Sequence, residues 1–83
     1  MNDPKPKRIS KGTYRHNKTG NLYEVIGVAL QTENTEQYVI YRQLYSNPQK
    51  QYQYELFARP FDMFIEDVEI DGITKPRFQK VND

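Results

Sequence analysis

The sequence contains no cysteine and no tryptophan, and it has one histidine among its 83 residues. These absences exclude a disulfide, a thiolate zinc site and a cysteine–histidine catalytic pair. The longest uninterrupted apolar run is the four residues from Tyr38 to Tyr41, whereas a membrane-spanning helix needs about 20. Because no apolar secretory segment follows Met1 either, we expect a cytoplasmic protein that contacts no membrane.

Glycine is sparse and scattered along the chain. The four glycines, Gly12, Gly20, Gly27 and Gly72, are each isolated at a turn or bend position. The backbone therefore lacks the glycine-rich loop that binds phosphate groups, and we expect no nucleotide or other cofactor.

The net charge of +1 conceals an uneven distribution. Residues 1–20 carry six basic residues against one acidic residue, a local charge of +5, whereas residues 21–83 carry six against ten, a charge of −4. We predict a flexible basic leader over 1–11, a single β-barrel domain over 12–79 and a frayed tail over 80–83. A solubilising leader is favoured over an arm that binds a polyanion.

Aromatic residues must supply much of the apolar surface that a chain of this length can bury. Its seven tyrosines and four phenylalanines favour strands, because rings and β-branched side chains pack well on a pleated surface. Alternation of apolar and polar residues predicts the strands, and prolines, glycines and polar clusters predict where they end. The predicted strands are 13–16, 21–30, 37–45, 51–58, 66–70 and 73–75, with a helical turn over 61–64 after Pro60.

These elements predict an all-β fold. The first choice is a small antiparallel SH3-like barrel of five to six strands with one short helical turn, and the alternative is an OB-like barrel, which would need a longer helix. Gly27 marks a bend or bulge where a side chain would obstruct closure of the barrel. Residues 76–78 are predicted to run along an edge.

Candidates for catalysis are few. His16 would need Ser10 or Ser46 as a nucleophile, but Ser10 lies in the predicted leader and Ser46 in a turn, where neither is held still. The carboxylates form two groups that are better explained as solvated surface than as acid–base or cation sites, so no catalytic residue and no metal ligand is assigned. The groups are Glu33 with Glu36, and Asp62 with Glu66, Asp67 and Glu69.

Binding is better supported than catalysis, because a barrel of this size cannot bury all of its rings. Exposed tyrosine and arginine are the usual anchors of recognition sites. The rings in excess are Tyr14, Tyr23, Tyr38, Tyr41, Tyr45, Tyr52, Tyr54 and Phe57, and the arginines beside an aromatic residue or a proline are Arg15, Arg42, Arg59 and Arg77. These arginines either bind an anionic or aromatic ligand or pair with glutamates across the strands.

Several short motifs together resemble a family of bacterial proteins. They are Gly12-Thr-Tyr-Arg-His16, Tyr23-Glu-Val25 with Gly27 and Ala29, Glu33 with Glu36, Val39-Ile-Tyr-Arg42 with Leu44-Tyr45, Phe57-Ala-Arg-Pro60 with Met63-Phe64, and Pro76-Arg-Phe78. This spacing resembles the proteins grouped as domain of unknown function 1653, over residues 11–79. The pattern departs at Gln31-Thr32, where His-Ser is usual, and at Phe57, where tryptophan is usual.

The resemblance implies a small all-β bacterial protein without an established reaction. Among the positions that the family pattern specifies, five charged residues are hard to explain by packing: Glu24, Glu33, Glu36, Arg42 and Arg59. The resemblance therefore implies a groove for a polar ligand, formed by these residues and flanked by Tyr41 and Tyr45.

The predicted function is that of a binding module, not an enzyme, which recognises a peptide, a small polar ligand or a partner protein through tyrosine and arginine. One alternative is single-stranded nucleic acid, with bases stacked on tyrosines and phosphates on the leader. The other is a small hydrolase or isomerase that uses Glu33 and Glu36 with Arg42. Because an edge strand with spare aromatic residues can pair with a copy of itself, we expect a monomer or a weak homodimer.

Overall fold

The computed structural model of the protein describes residues 5–45 and 55–81. Seven strands and one short helix form in these ranges, and none of their helical residues builds a segment long and apolar enough to cross a bilayer. The elements are β1 (Gly12–His16), β2 (Leu22–Gln31), β3 (Glu36–Gln43), β4 (Phe57–Pro60), α1 (Phe61–Ile65), β5 (Asp67–Ile70), β6 (Ile73–Pro76) and β7 (Phe78–Lys80).

Five strands form one antiparallel sheet in the order β4-β3-β2-β1-β7, and β5 pairs with β6 in a separate hairpin. The larger sheet curls into a half-barrel, and α1 packs against β3 and β4. The all-β class, the antiparallel pairing and the single short helix before the last hairpin are confirmed. The described residues form seven strands, where five to six were predicted.

The long hairpin of β2 and β3 contains one irregularity. Val25 lies opposite Tyr41 and Gly27 lies opposite Ile40, so Ile26 is an extra residue in β2. Such a bulge bends the strand and increases its twist, which helps a sheet to curl. A bend was predicted at Gly27, and the structure places it at the preceding residue.

The bulge also changes which side chains share a face. Simple alternation along β2 puts Val28 on the face opposite to Val25. In the structure Val28 lies across from Val39 and Val25 across from Tyr41, two positions on the same face of β3. The extra residue therefore turns Val28 toward the core, against which it packs.

The core lies between the concave face of the sheet and α1. Phe64 of α1 stacks on Phe78 of β7, with ring centroids 4.1 Å apart and ring planes within 4° of parallel. Valine side chains and further rings close around this pair. The buried core residues are Tyr14, Val25, Val39, Tyr41, Phe61, Phe64 and Phe78.

The helix follows directly from Pro60, whose backbone lacks the N–H group that a helix leaves unpaired in its first turn. Phe61 and Phe64 are three residues apart, so both lie on one side of α1, and both are buried. Met63 lies on the other side and is exposed. The predicted helical turn with two core phenylalanines is confirmed.

Several predicted boundaries shift. Strand β3 ends at Gln43 rather than at Tyr45, and β4 begins at Phe57 and runs to Pro60. The predicted loop over 46–50, and the part of the predicted strand over 51–54, lie outside the described residues. The predicted edge segment forms β7, which pairs with β1 at one end of the sheet order.

The part of the predicted leader that the structure describes contacts the domain. Lys7 pairs with Asp62 at 2.8 Å, and its backbone N–H donates to the Gln37 side chain at 2.7 Å. Ile9 packs against the core, and the Ser10 carbonyl accepts a hydrogen bond from Tyr14 Oη. Residues 5–11 therefore lie along the barrel surface, and the domain limits at 12 and 79 stay a prediction.

Candidate ligand-binding site

A cavity of about 230 Å³ opens on the concave side of the sheet, where β2, β3 and β4 meet. We call it the aromatic pocket. Four of its seven lining residues are aromatic, one is a cation and one is an amide. The lining residues are Tyr23, Tyr41, Gln43, Tyr45, Phe57, Ala58 and Arg59.

Strand register explains why these side chains meet. Tyr41 and Gln43 are two residues apart on β3, so they share one face. Gln43 lies opposite Tyr23 of β2, and Tyr41 lies opposite Phe57 of β4. Arg59 is two residues from Phe57 and occupies the same face of β4. The pocket is thus built by alternation along three neighbouring strands.

The rings of the pocket contact one another edge to face. Tyr23 has its ring centroid 5.5 Å from Tyr41 and 5.6 Å from Tyr45, with interplanar angles of 82° and 89°. Phe57 and Tyr41 are 5.9 Å apart in a tilted arrangement. Edge-to-face contacts of this kind are favourable and fix ring orientation, so the aromatic walls are held in place by one another.

Two tyrosine hydroxyls meet at the rim. The Oη atoms of Tyr23 and Tyr45 are 3.1 Å apart and share a hydrogen bond. Burial raises the pKa of Tyr23 well above its usual value of 10, and the hydrogen bond to Tyr45 raises it further. The Tyr23 hydroxyl, which is protonated at neutral pH even at the usual value, therefore stays protonated to a higher pH than a free tyrosine does.

Arg59 supplies the positive charge of the pocket. Its Nε donates to Tyr41 Oη at 3.3 Å, and its guanidinium carbon lies 5.5 Å from the ring centroid of Phe78. Among residues 5–45 and 55–81, no carboxylate lies within ion-pairing distance of Arg59. A half-buried guanidinium oriented by aromatic groups and lacking a counter-ion in the described chain is suited to bind an anion.

Gln43 presents a polar atom that lacks a partner. Its Oε1 is buried and accepts no hydrogen bond in the described part of the chain. A buried acceptor without a donor costs about 1–3 kcal/mol. Among the described side chains it is the buried polar atom left in this state, and Gln43 is one of the residues that line the aromatic pocket.

His16 lies beside the pocket, with its ring 4.8 Å from the Phe78 ring in an edge-to-face contact. Burial lowers the pKa of His16 below its ordinary value of 6.5, and the positive charges of Arg59, Arg77 and Lys18 lower it further. The imidazole is therefore mostly neutral at pH 7, and Arg59 remains the cation closest to the pocket.

We expect Arg59→Gln to raise the pKa of His16 toward 6.5, because among the three charges that disfavour the imidazolium it removes the one with the largest effect. An NMR titration of the His16 ring protons measures the shift. Lys18→Gln serves as the control and is expected to raise the pKa less. Equal pKa values in Arg59→Gln and the wild type would contradict this placement of the guanidinium.

The same pKa fixes the sign of a stability effect. The folded-state pKa of His16 lies below the unfolded-state value, so the unfolded chain binds the proton more readily. The contribution of His16 to stability is therefore complete above about pH 6.5 and is lost as the pH falls through the folded-state value.

The structure brings together three of the seven predicted site residues: Tyr41, Tyr45 and Arg59 line the aromatic pocket. Glu24 and Arg42 lie opposite each other in the sheet and form an ion pair of 2.6 Å between half-exposed side chains. Arg42 is one residue from Tyr41, so it points to the other face of β3. Two roles were considered for Arg42, binding a ligand and pairing with a glutamate across the strands. The structure shows the pairing.

Glu33 and Glu36 lie at the far end of the β2–β3 hairpin, and both are exposed. Glu36 accepts a hydrogen bond from Tyr38 Oη at 3.0 Å. Six residues of strand, about 20 Å, separate Glu36 from Arg42. These two carboxylates therefore do not converge with Arg42.

The sequence assignment of the site left out Gln43 and Ala58, and it placed Tyr23 and Phe57 among the excess rings without assigning them to the groove. The available signal was alternation, because Tyr41, Gln43 and Tyr45 occupy every second position.

Of the tyrosines in the described ranges, Tyr14 and Tyr41 are buried. Tyr52 and Tyr54 lie outside those ranges. Within them, no group of three or more histidine, aspartate or glutamate side chains is placed to hold a metal ion.

Comparison with known proteins agrees with the fold. The sequence matches the family described as "Protein of unknown function (DUF1653)" over residues 12–80. The structure is similar to the crystal structure of a protein belonging to DUF1653 from Bordetella bronchiseptica, with a TM-score of 0.78 and 29% identity, covering 88% of this chain and 87% of that one. No curated protein matches the chain. All residues that line the aromatic pocket lie inside the matched range.

Proposed function

Because the chain belongs to the DUF1653 family, a membership that brings no activity with it, we propose from the site alone that the domain is a non-enzymatic binding module. It recognises a peptide, a small polar ligand or a partner protein by docking an anionic group on Arg59 within the aromatic pocket. The observation that carries the proposal is the Arg59 guanidinium, which lies against Tyr41 and Phe78 without a carboxylate partner in the described chain.

The chemistry of the pocket favours an oxyanion joined to an apolar or aromatic body. A guanidinium has five N–H donors in a planar fork, and the Nε donor of Arg59 is directed to Tyr41. The two terminal nitrogens can then bind both oxygens of a carboxylate. Rings that meet edge to face bind a further ring in the same manner, so the walls add affinity for an aromatic ligand.

The carboxylate enzyme considered from the sequence is not supported by the geometry. A carboxylate acts as a general acid or base when an enclosure shifts its pKa and holds it against the substrate. Glu33 is exposed in the turn before β3 and Glu36 is exposed at the first position of β3, about 20 Å of strand away from Arg42. We therefore do not propose this activity.

Binding of single-stranded nucleic acid is not proposed, but the binding experiment described below would detect it. The basic residues near the N-terminus favour it, but Lys7 already pairs with Asp62. Residues 21–83 carry a net charge of −4, which disfavours the approach of a phosphate backbone.

We also propose that the protein is bacterial and cytoplasmic and that its fold is an SH3-like barrel. In solution it is a monomer or a weak homodimer. The relative from Bordetella bronchiseptica supports a bacterial protein. The curled sheet with a one-turn helix before the last hairpin supports an SH3-like architecture. Strand β4 is at one end of the sheet order, which supports the weak pairing of two copies.

Benzoate is the probe for the anion site, and benzamide is its uncharged counterpart. We expect benzoate to shift the backbone amide signals of Tyr41, Gln43 and Arg59 in ¹⁵N-labelled protein and to bind at least tenfold more tightly than benzamide. Arg59→Gln should weaken benzoate binding about 10–100-fold, because a hydrogen bond to a charged group contributes about 1.5–3 kcal/mol. It should leave benzamide binding unchanged.

Arg42→Gln is the matched control, since Arg42 is also a strand arginine but lies on the outer face of the sheet, paired with Glu24. It should bind benzoate as the wild type does. Equal binding of benzoate and benzamide, or equal losses in the two variants, would contradict the proposal. Retention of an oligonucleotide at low salt that is insensitive to Arg59→Gln would favour nucleic acid instead.

A further inference from the structure

The geometry points to a more specific ligand: an aromatic carboxylate that carries an N–H or O–H donor on the side of its ring opposite to the carboxylate. This inference rests on the proposed function, since it assigns the carboxylate to Arg59. It adds a second contact, in which the ligand donates a hydrogen bond to Gln43 Oε1. The unpartnered Gln43 oxygen and the strand register carry this additional step.

The first step is the order of side chains across the pocket. On the concave face, strand register aligns side chains from neighbouring strands in three rows. Each row contains one residue of β3, and the three are Val39, Tyr41 and Gln43. The first row has Arg59 opposite Val39, and the second has Phe57 opposite Tyr41. The third row has Gln43 opposite Tyr23. A ligand that reaches from the first row to the third therefore crosses an aromatic row between a cation and an acceptor.

The second step is the length and volume that this order allows. Successive rows on one face of a strand are about 7 Å apart, and Arg59 extends toward the middle row, where it donates to Tyr41. A volume of about 230 Å³ is below the ~300–1,000 Å³ of pockets that take drug-sized ligands. These dimensions suit one ring with a polar group at each end.

The third step is the hydrogen-bonding character of the far end. Gln43 Oε1 is an acceptor, so it requires a donor from the ligand. An ether or a halogen at the same position supplies no donor and would leave the buried oxygen unpaired. A site that hydrogen-bonds one group of a ligand discriminates against the analogue that lacks this group, so the Gln43 oxygen is a specificity determinant.

Two kinds of molecule carry an aromatic ring between a carboxylate and a hydrogen-bond donor: a free aromatic acid and the C-terminal tyrosine of a peptide. Both carry a carboxylate and a phenolic hydroxyl on opposite sides of a ring. The probe 4-hydroxybenzoate represents the first source and the tripeptide Gly-Gly-Tyr, with a free C-terminus, represents the second. Tighter binding of one probe than the other assigns the source, and in either case affinity should fall when the carboxylate is replaced by an amide.

The test compares three carboxylates that differ at one position of the ring: benzoate, 4-hydroxybenzoate and 4-methoxybenzoate. We expect 4-hydroxybenzoate to bind the wild type about three- to tenfold more tightly than benzoate, which is the usual contribution of one hydrogen bond. 4-Methoxybenzoate should bind no more tightly than benzoate. NMR titration measures all three dissociation constants, with the Arg59 amide as a shared reporter.

Gln43→Met is the matched variant, because methionine keeps the length of the side chain and removes its acceptor. It should reduce the ratio of the benzoate to the 4-hydroxybenzoate dissociation constant to about one, and leave the melting temperature of the free protein equal or higher, since an unpaired buried acceptor is removed. A merely structural role of Gln43 would lower the melting temperature and weaken all three ligands together.

The outcomes separate this inference from the proposed function. If 4-hydroxybenzoate binds no better than benzoate, or keeps its advantage in Gln43→Met, the inference is overturned while Arg59-dependent binding of benzoate stands. If none of the three carboxylates binds, both fail. If 4-methoxybenzoate gains as much as 4-hydroxybenzoate, the far end of the pocket selects size rather than a donor, and the inference is again overturned.

Discussion

Phe64→Ala is expected to lower the free energy of unfolding by about 3–5 kcal/mol, the usual cost of truncating a buried phenylalanine. Phe64 is 1% exposed and stacks on Phe78 at 4.1 Å. Its ring also lies 5.8 Å from Tyr14 and 5.4 Å from Tyr41. A domain of this size has a total stability of about 4–12 kcal/mol, so the variant should be partly or wholly unfolded at 37 °C. Urea denaturation followed by circular dichroism measures the loss.

Two further variants show that the loss comes from the core. Met63→Ala changes the neighbouring residue of α1, whose side chain is 44% exposed, and should cost less than about 1 kcal/mol. Phe64→Leu keeps much of the buried volume and should cost clearly less than Phe64→Ala. If Met63→Ala were as damaging as Phe64→Ala, α1 would not be seated on the sheet through Phe64.

The position of α1 was largely predictable from the sequence, and the reason is local. Pro60 disfavours a continued strand and suits the start of a helix, and the spacing of Phe61 and Phe64 defines one buried side. The bulge in β2 was less predictable. Gly27 indicated an irregularity, but the extra residue is Ile26, because the partner strand decides which residue is left without an opposite position.

The candidate site was likewise predictable only in part, because it too depends on how neighbouring strands pair. Alternation predicted that Tyr41 and Tyr45 would share a face, but it could not show that Phe57 and Arg59 lie beside them, because that requires the register of β4 on β3. Register also decides that Arg42 is opposite Glu24. The charged residues singled out from the sequence thus divide into an ion pair on the outer face, two exposed carboxylates at the far end of the β2–β3 hairpin, and Arg59.

Composition did not indicate the contacts that the segment before β1 makes with the domain. Two prolines and a run of basic residues are typical of an unpacked leader, and residues 1–4 lie outside the described ranges. Yet Ile9 packs against the core and the Ser10 carbonyl accepts a hydrogen bond from Tyr14. A single apolar residue and one backbone carbonyl are enough to make such contacts, and neither has a compositional signature.

Val25→Asp is expected to unfold the protein at neutral pH. Val25 is 2% exposed, lies on the middle strand β2 and belongs to the core cluster, and no charged residue is buried in the described chain. Its partners on the neighbouring strands are Gly12 and Tyr41, so no cation lies opposite it. The variant loses about 1.5–3 kcal/mol of apolar burial and places an unpaired carboxylate among apolar groups, which costs several kcal/mol more. The sum is comparable to the total stability of a domain of this size.

Val25→Asn separates the charge from the loss of valine, since asparagine has nearly the shape of aspartate without its charge. Burial raises the folded-state pKa of the introduced carboxyl above its unfolded-state value of about 3.9. The folded state then binds the proton more readily, so the destabilisation by Val25→Asp, measured against the wild type, should shrink as the pH falls from 7 to about 4.5. The destabilisation by Val25→Asn should stay constant over the same range. Thermal denaturation of the three proteins at both pH values tests this. A Val25→Asp variant that is as stable as Val25→Asn at pH 7 would mean that position 25 is open to water rather than enclosed in the core.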